Sequence, residues 1–192
     1  SYIQVVLSVA VSVIYVPVLL RYLGQSEYGL YQIVGSFFSY ISVFESCMST
    51  GVLRNYCNAL GSQDKEAADV TLSMAKVIYR VMAALMVVAG VIVLFAFRSF
   101  YASSFTASEL KESSAILLLL FANMMVTLLG SVYLTILTGH EKFTFLKVLA
   151  IIIQVAQPFF VILCVRKIPY AITVSTVIVV FNVLTVLMRY LY

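Results

Sequence analysis

Val16-Pro-Val-Leu-Leu-Arg-Tyr-Leu-Gly-Gln-Ser-Glu-Tyr-Gly-Leu-Tyr31 joins more constraints than any other stretch of its length in the chain. An apolar run ends there at a lone arginine, passes two glycines and one acidic residue, and re-enters apolar sequence on tyrosine. Glycine supplies the backbone freedom that a tight turn needs. Arg21 and Glu27 need water or headgroups, and Tyr22 and Tyr28 suit the membrane–water boundary. The stretch therefore predicts a tight hairpin between two membrane-spanning helices, turning at Gly24 and Gly29.

Composition carries that reading outward. The chain has 192 residues, 63% of them hydrophobic and 10% charged, with a mean hydropathy of +1.08. Soluble domains hold about 45–50% apolar and about 25% charged residues, so lipid must solvate much of this surface. Six apolar stretches separate, at 2–20, 29–53, 71–97, 113–138, 143–165 and 169–188. Each is long enough to cross the hydrocarbon core as a helix, which takes about 17–25 residues. The alternation of roughly ten-residue strands that marks a membrane barrel is absent. The expectation is an all-α, polytopic, six-transmembrane-helix bundle occupying 1–192 as a single lobe.

The connections are short, apart from 54–69 and 98–112. The second of these carries Ser103, Ser104, Thr106 and Ser108 and reads as interfacial. Thr138-Gly-His-Glu-Lys142 and Arg166-Lys-Ile-Pro169 read as tight turns, with Pro169 at a helix start. Pro17 and Pro158 fall inside apolar runs, where proline removes a backbone donor and bends a helix. Basic residues set orientation. With the amino end cytoplasmic, the inner side receives Arg54, Lys65, Lys76, Arg80, Lys142, Lys147 and Arg189, against Arg21, Arg98, Lys111, Arg166 and Lys167 outside.

Several function classes fall away. The net charge of +4 is scattered, without the clustered basic face that nucleic acid requires. Cys47, Cys57 and Cys164 have neither paired nor metal-type spacing. A Gly-rich phosphate loop, His-Glu-x-x-His and Gly-x-Ser-x-Gly are all missing. His140 has no second histidine and reads as a solvated turn residue. The expectation is no enzyme, no catalytic residue, no metal and no cofactor.

Polar residues inside the apolar runs are more informative. At helical spacing they form stripes: Gln4, Ser8, Ser12, Tyr15; Gly35, Ser39, Ser42, Glu45, Ser49; Ser73, Lys76, Arg80; Asn123, Thr127, Ser131, Thr135; Lys147, Gln154, Gln157; and Ser175, Asn182, Thr185, Arg189. Small and hydroxyl residues alone are ordinary helix-packing elements. Ionisable residues are different, because each costs roughly 2.5–3.5 kcal/mol to insert and marks an interior or aqueous route. Glu45 and Arg80 lie at similar sequence distances from the 54–69 connection, so antiparallel helices would hold them at similar depth. That geometry predicts a Glu45–Arg80 pair.

Three elements together resemble the polysaccharide-biosynthesis flippases, the O-antigen and capsule repeat-unit exporters of the MATE-like superfamily. They are Pro17-Val-Leu-Leu-Arg-Tyr-Leu-Gly24 with Glu27-Tyr-Gly-Leu-Tyr31, Phe44-Glu-Ser-Cys-Met-Ser-Thr-Gly51 leading to Arg54, and Leu137-Thr-Gly-His-Glu-Lys-Phe143. Gln25 stands where that family often has proline, and Cys47 where glycine is common. The resemblance implies the amino-terminal lobe of a longer chain of twelve or more helices, in a bacterial inner membrane, with its amino end cytoplasmic. It implies alternating access that flips an undecaprenyl-pyrophosphate-linked oligosaccharide, among membrane lipids, with a proton or sodium ion coupled to transport. Carried over to this sequence, it puts cargo contacts on Arg21 and Arg54 and ion coupling on Glu45. With the intramembrane residues Arg80 and Asn123, these make up the expected substrate-binding cavity. Two alternatives stand beside it: a cation-coupled exporter of small amphipathic compounds, and a non-transporting membrane scaffold or assembly protein. A fainter signal is internal, since Gly24 and Gly139 each precede an aromatic residue by four positions.

Overall fold

The computed structural model describes residues 2–101, 107–168 and 170–192, and the side chains of some helical residues, Glu27, Arg98, Ser108 and Lys111 among them, lie outside that description. Ser103, Ser104, Thr106 and Pro169 also lie outside the described residues. What is described is all helical: α1 (Tyr2–Gly61), α2 (Lys65–Tyr101), α3 (Ala107–Gly139), α4 (Phe143–Lys167) and α5 (Ala171–Leu191). Pro17 and Pro158 sit within α1 and α4 without ending them.

The quoted stretch turns at one residue rather than two. Gly24 has φ 79° and ψ 170°, and it divides α1 into arms at 2–23 and 25–61. That region of backbone space is essentially reserved for glycine. Gly29 is helical, so the expected second turn residue belongs to the second arm. The arms fold back on one another, since Tyr15 of the first lies within electrostatic reach of Tyr28 and Tyr31 of the second. All three tyrosines pack on a shared core of Leu19, Leu23, Leu117, Leu120, Val161 and Val174.

Among the described residues, five stretches are long and apolar enough to cross a membrane: Val5–Gln25, Lys65–Phe95, Glu112–Gly139, Phe143–Lys167 and Ala171–Leu191. The chain is thus a membrane-embedded helical bundle. The expected span at 29–53 is helical, in the second arm of α1, but is not one of the five. Apolar side chains point outward, among them Val9, Val13, Ile92 and Phe95, while Ser113, Ser131, Thr135 and Ser175 are buried. This is the distribution expected when lipid is the solvent, because packing and interhelical hydrogen bonds, not water, then drive association.

α3 is the hub. Half of its apolar stretch is buried, against 22% or less in the other four, and it packs against α1, α2 and α5. At Gly130 the backbone of α3 lies so close to Val186 of α5 that no side chain fits between them.

Two helical hairpins close with the same turn. In one, the Asp64 N–H bonds Ala59 O at 3.2 Å and the Gln63 N–H bonds Leu60 O at 3.1 Å. In the other, the Lys142 N–H bonds Leu137 O at 2.9 Å and the Glu141 N–H bonds Thr138 O at 3.0 Å. Both are Schellman motifs, whose left-handed position favours glycine. Here that position holds Gln63 (φ 57°) and Glu141 (φ 58°). The internal echo of the fold is therefore Gln63 with Glu141; Gly24 has a positive φ and Gly139 does not. Asp64 then caps α2 by accepting the Ala67 N–H at 2.9 Å.

Candidate functional site

Hydroxyl residues on α3 create the site from the hub outward. Thr127, Ser131 and Thr135 each donate to the carbonyl four residues back, at 3.0, 2.9 and 3.0 Å. This satisfies their hydroxyls inside the bundle and leaves oxygen lone pairs facing neighbouring helices. Asn182 of α5 uses them: its amide donates to Asn123 Oδ1 at 2.7 Å, Asn123 O at 3.0 Å and Thr127 Oγ1 at 2.7 Å. Beside this clamp, Glu45 Oε1 lies 2.8 Å from Ser131 Oγ and is the alternative acceptor for its single hydroxyl proton, tying α3 to the second arm of α1.

Glu45 opens onto a small cavity of about 150 Å³, lined by Ser42, Glu45, Met86, Leu120, Asn123, Met124, Thr127 and Leu128. Arg189 of α5 lies within electrostatic reach of Glu45, and its Nε is buried without a hydrogen-bond partner. The cavity thus joins the Glu45 carboxylate of α1 to Asn123 and Thr127 of α3, with Met86 of α2 closing it.

The expected residues separate. Glu45 and Asn123 line one cavity. Arg80 does not join them, and the Glu45–Arg80 pair is not formed: the Glu45 carboxylate bonds Ser131, while Arg80 lines a different groove with Lys76, Tyr79, Tyr133 and Val186. The two residues do flank the same α1–α2 turn, but depth does not fix direction around a helix, where each residue turns by about 100°. Arg21 and Arg54 are exposed. They also flank opposite ends of the second arm, about 40 Å apart at 1.5 Å per residue, so they cannot hold one phosphate group together. Ser8 and Ser12 are likewise exposed on the first arm. Sequence reasoning missed the role of Arg189, which stands in the stripe with Asn182 at a spacing of seven residues; that shared face was the available signal.

A larger cavity, about 530 Å³, lies under the α1–α2 turn between Tyr56, Gln63, Asp64, Lys65, Asp69 and His140. Tyr56 and His140 stack with ring centroids 6.3 Å apart, and Tyr56 rests on Gly139. Burial, then the Asp69 carboxylate, push the Tyr56 phenol above its ordinary value. His140 itself is exposed and its Nδ1 lies 3.1 Å from Ile136 O, as a solvated turn histidine would.

Compared with protein-family models, with curated proteins and with solved structures, the chain matches none.

Proposed function

We propose that the chain is one lobe of a membrane transporter that works by alternating access, with Glu45 as its ion-coupling group. The observation that carries this reading is the half-buried Glu45 carboxylate, held by Ser131 at 2.8 Å on a polar cavity between helices. A carboxylate is costly at membrane depth, and such residues mark ion or substrate routes. The cavity of about 150 Å³ is well below the roughly 300–1,000 Å³ of sites that enclose whole ligands. It suits a proton or a sodium ion and excludes an oligosaccharide. A lipid-linked oligosaccharide, the cargo that the flippase resemblance implies, would have to be held in space this chain does not enclose alone. In that arrangement Arg21 and Arg54 serve opposite mouths, meeting the pyrophosphate in turn. A bacterial inner membrane, an amino end in the cytoplasm and a second lobe belong to the same proposal.

One observation favours the scaffold reading. The amide of Asn182 and the hydroxyls of Thr127, Ser131 and Thr135 all have partners within the bundle, so these residues can serve packing alone. Glu45→Gln separates the two readings, because glutamine keeps the bond to Ser131 but loses the charge. In proteoliposomes with an imposed proton or sodium gradient, the variant is expected to lower lipid-linked oligosaccharide transport about ten-fold, equivalent to about 1.4 kcal/mol, and to abolish the response to the gradient. Transport that is unchanged and equally gradient-dependent overturns the assignment of Glu45.

A further inference from the structure

Among the described residues, α2 and α5 both pack against α3 but not against each other. Between them is a groove of about 440 Å³, lined by Lys76, Tyr79, Arg80, Leu129, Val132, Tyr133 and Val186. It lies on the far side of α3 from the Glu45 cavity: Tyr133 is two residues from Ser131, and at about 100° per residue that turns it to the opposite face. Four properties of the groove belong together. Lys76 and Arg80 are one helical turn apart, so both heads reach the same rim. Neither has an acidic partner among the described residues, although the chain is otherwise sparing with charge. The Tyr79 side chain is 1% exposed, and its hydroxyl is buried without a hydrogen-bond partner. The floor is apolar, formed by Leu129, Val132 and Val186.

We propose that this groove is a binding site for an anionic phospholipid, whose phosphate is held by Lys76 and Arg80 with the Tyr79 hydroxyl as a donor. Two unpaired cations and an orphaned donor call for an anion with several acceptor oxygens. The apolar floor decides its class, because a free phosphate ion gains nothing from Leu129, Val132 and Val186, whereas a phosphodiester carrying acyl chains covers them. The depth agrees. Lys76 and Arg80 stand five and nine residues inside the apolar stretch that begins at residue 71, where long basic side chains extend along their stems toward the headgroup layer. Tyr133 stacks edge-on with Tyr190 at 5.3 Å, and such aromatic pairs anchor at the same interface. The site owes nothing to Glu45 and stands whether or not the chain transports anything.

The test is binding of dioctanoyl phosphatidylglycerol to the detergent-purified protein by thermophoresis, with dioctanoyl phosphatidylcholine and inorganic phosphate as comparison ligands. The phosphatidylglycerol is expected to bind more tightly than both. Lys76→Gln and Arg80→Gln should each weaken it about five-fold and the double variant about thirty-fold, following the usual contribution of a basic residue at an anionic membrane surface. Tyr79→Phe, which keeps the buried ring, should weaken it while leaving the fold intact by circular dichroism. Lys147→Gln, at an exposed residue outside the groove, should change nothing. Undiminished phosphatidylglycerol binding by the double variant overturns the site. Inorganic phosphate binding as tightly as the lipid overturns the lipid assignment.

Discussion

Glu45 shows what one residue can and cannot disclose in a sequence. Its cost at membrane depth marked it as interior, and the structure holds it there against Ser131. Its partner was not legible, because spacing from a turn gives depth alone and Arg80 points to another face of the bundle. The cation within electrostatic reach of Glu45 is Arg189. Asn182 carries a more local consequence. Its amide makes three contacts to α3, all at 2.7 to 3.0 Å, and interhelical hydrogen bonds in membranes are worth about 0.6 kcal/mol on average and up to about 1.7. Asn182→Ala should therefore cost about 1–2 kcal/mol, read as an earlier midpoint in denaturant titration of the detergent-solubilised protein. A midpoint shifted by no more than that of Thr176→Ala, an exposed site on the same helix, would mean that the clamp is idle.

Elements were read well in kind and less well at their edges. The second arm of α1 extends through residue 61 and α2 begins at Lys65, so the polar 54–69 connection shrinks to a tight turn. Polar residues there are helical because hydrogen-bonded caps, not apolar composition, close that hairpin. Gly24 was legible as a turn and Gly29 was not separable from it, since glycine permits a turn without requiring one. Of these two glycines, Gly24 has a positive φ and Gly29 does not. Gly24→Ala meets no steric neighbour but must adopt φ 79° and ψ 170°, so it should cost about 1–3 kcal/mol, seen as a lower melting temperature. Gln63 makes the opposite case, a side chain in a left-handed position with φ 57°. Gln63→Gly relieves a cost of roughly 1–2 kcal/mol, partly offset by the freedom glycine gains in the unfolded chain. The melting temperature should rise slightly; a fall would show that Gln63 contributes contacts worth more than its backbone strain.

At the scale of the whole molecule, composition settled the class: an all-helical chain with apolar residues outward and hydroxyl residues at the hub. It could not settle which polar stripes meet, because that depends on how helices rotate about their axes. The α3 stripe faces Asn182 and Glu45, whereas Ser8 and Ser12 of the first arm remain on the surface. The functional account rests on the first of these meetings being wet. Its most direct test is thiol labelling in a cysteine-free background with a membrane-impermeant maleimide, comparing Ser42→Cys and Asn123→Cys with the outward-facing Leu118→Cys. A hydrated transport cavity predicts that both cavity positions react, from one aqueous side and at a rate that depends on Glu45, while Leu118→Cys stays unlabelled. If neither cavity position reacts from either side, the polar ladder is dry packing and the transport account is contradicted.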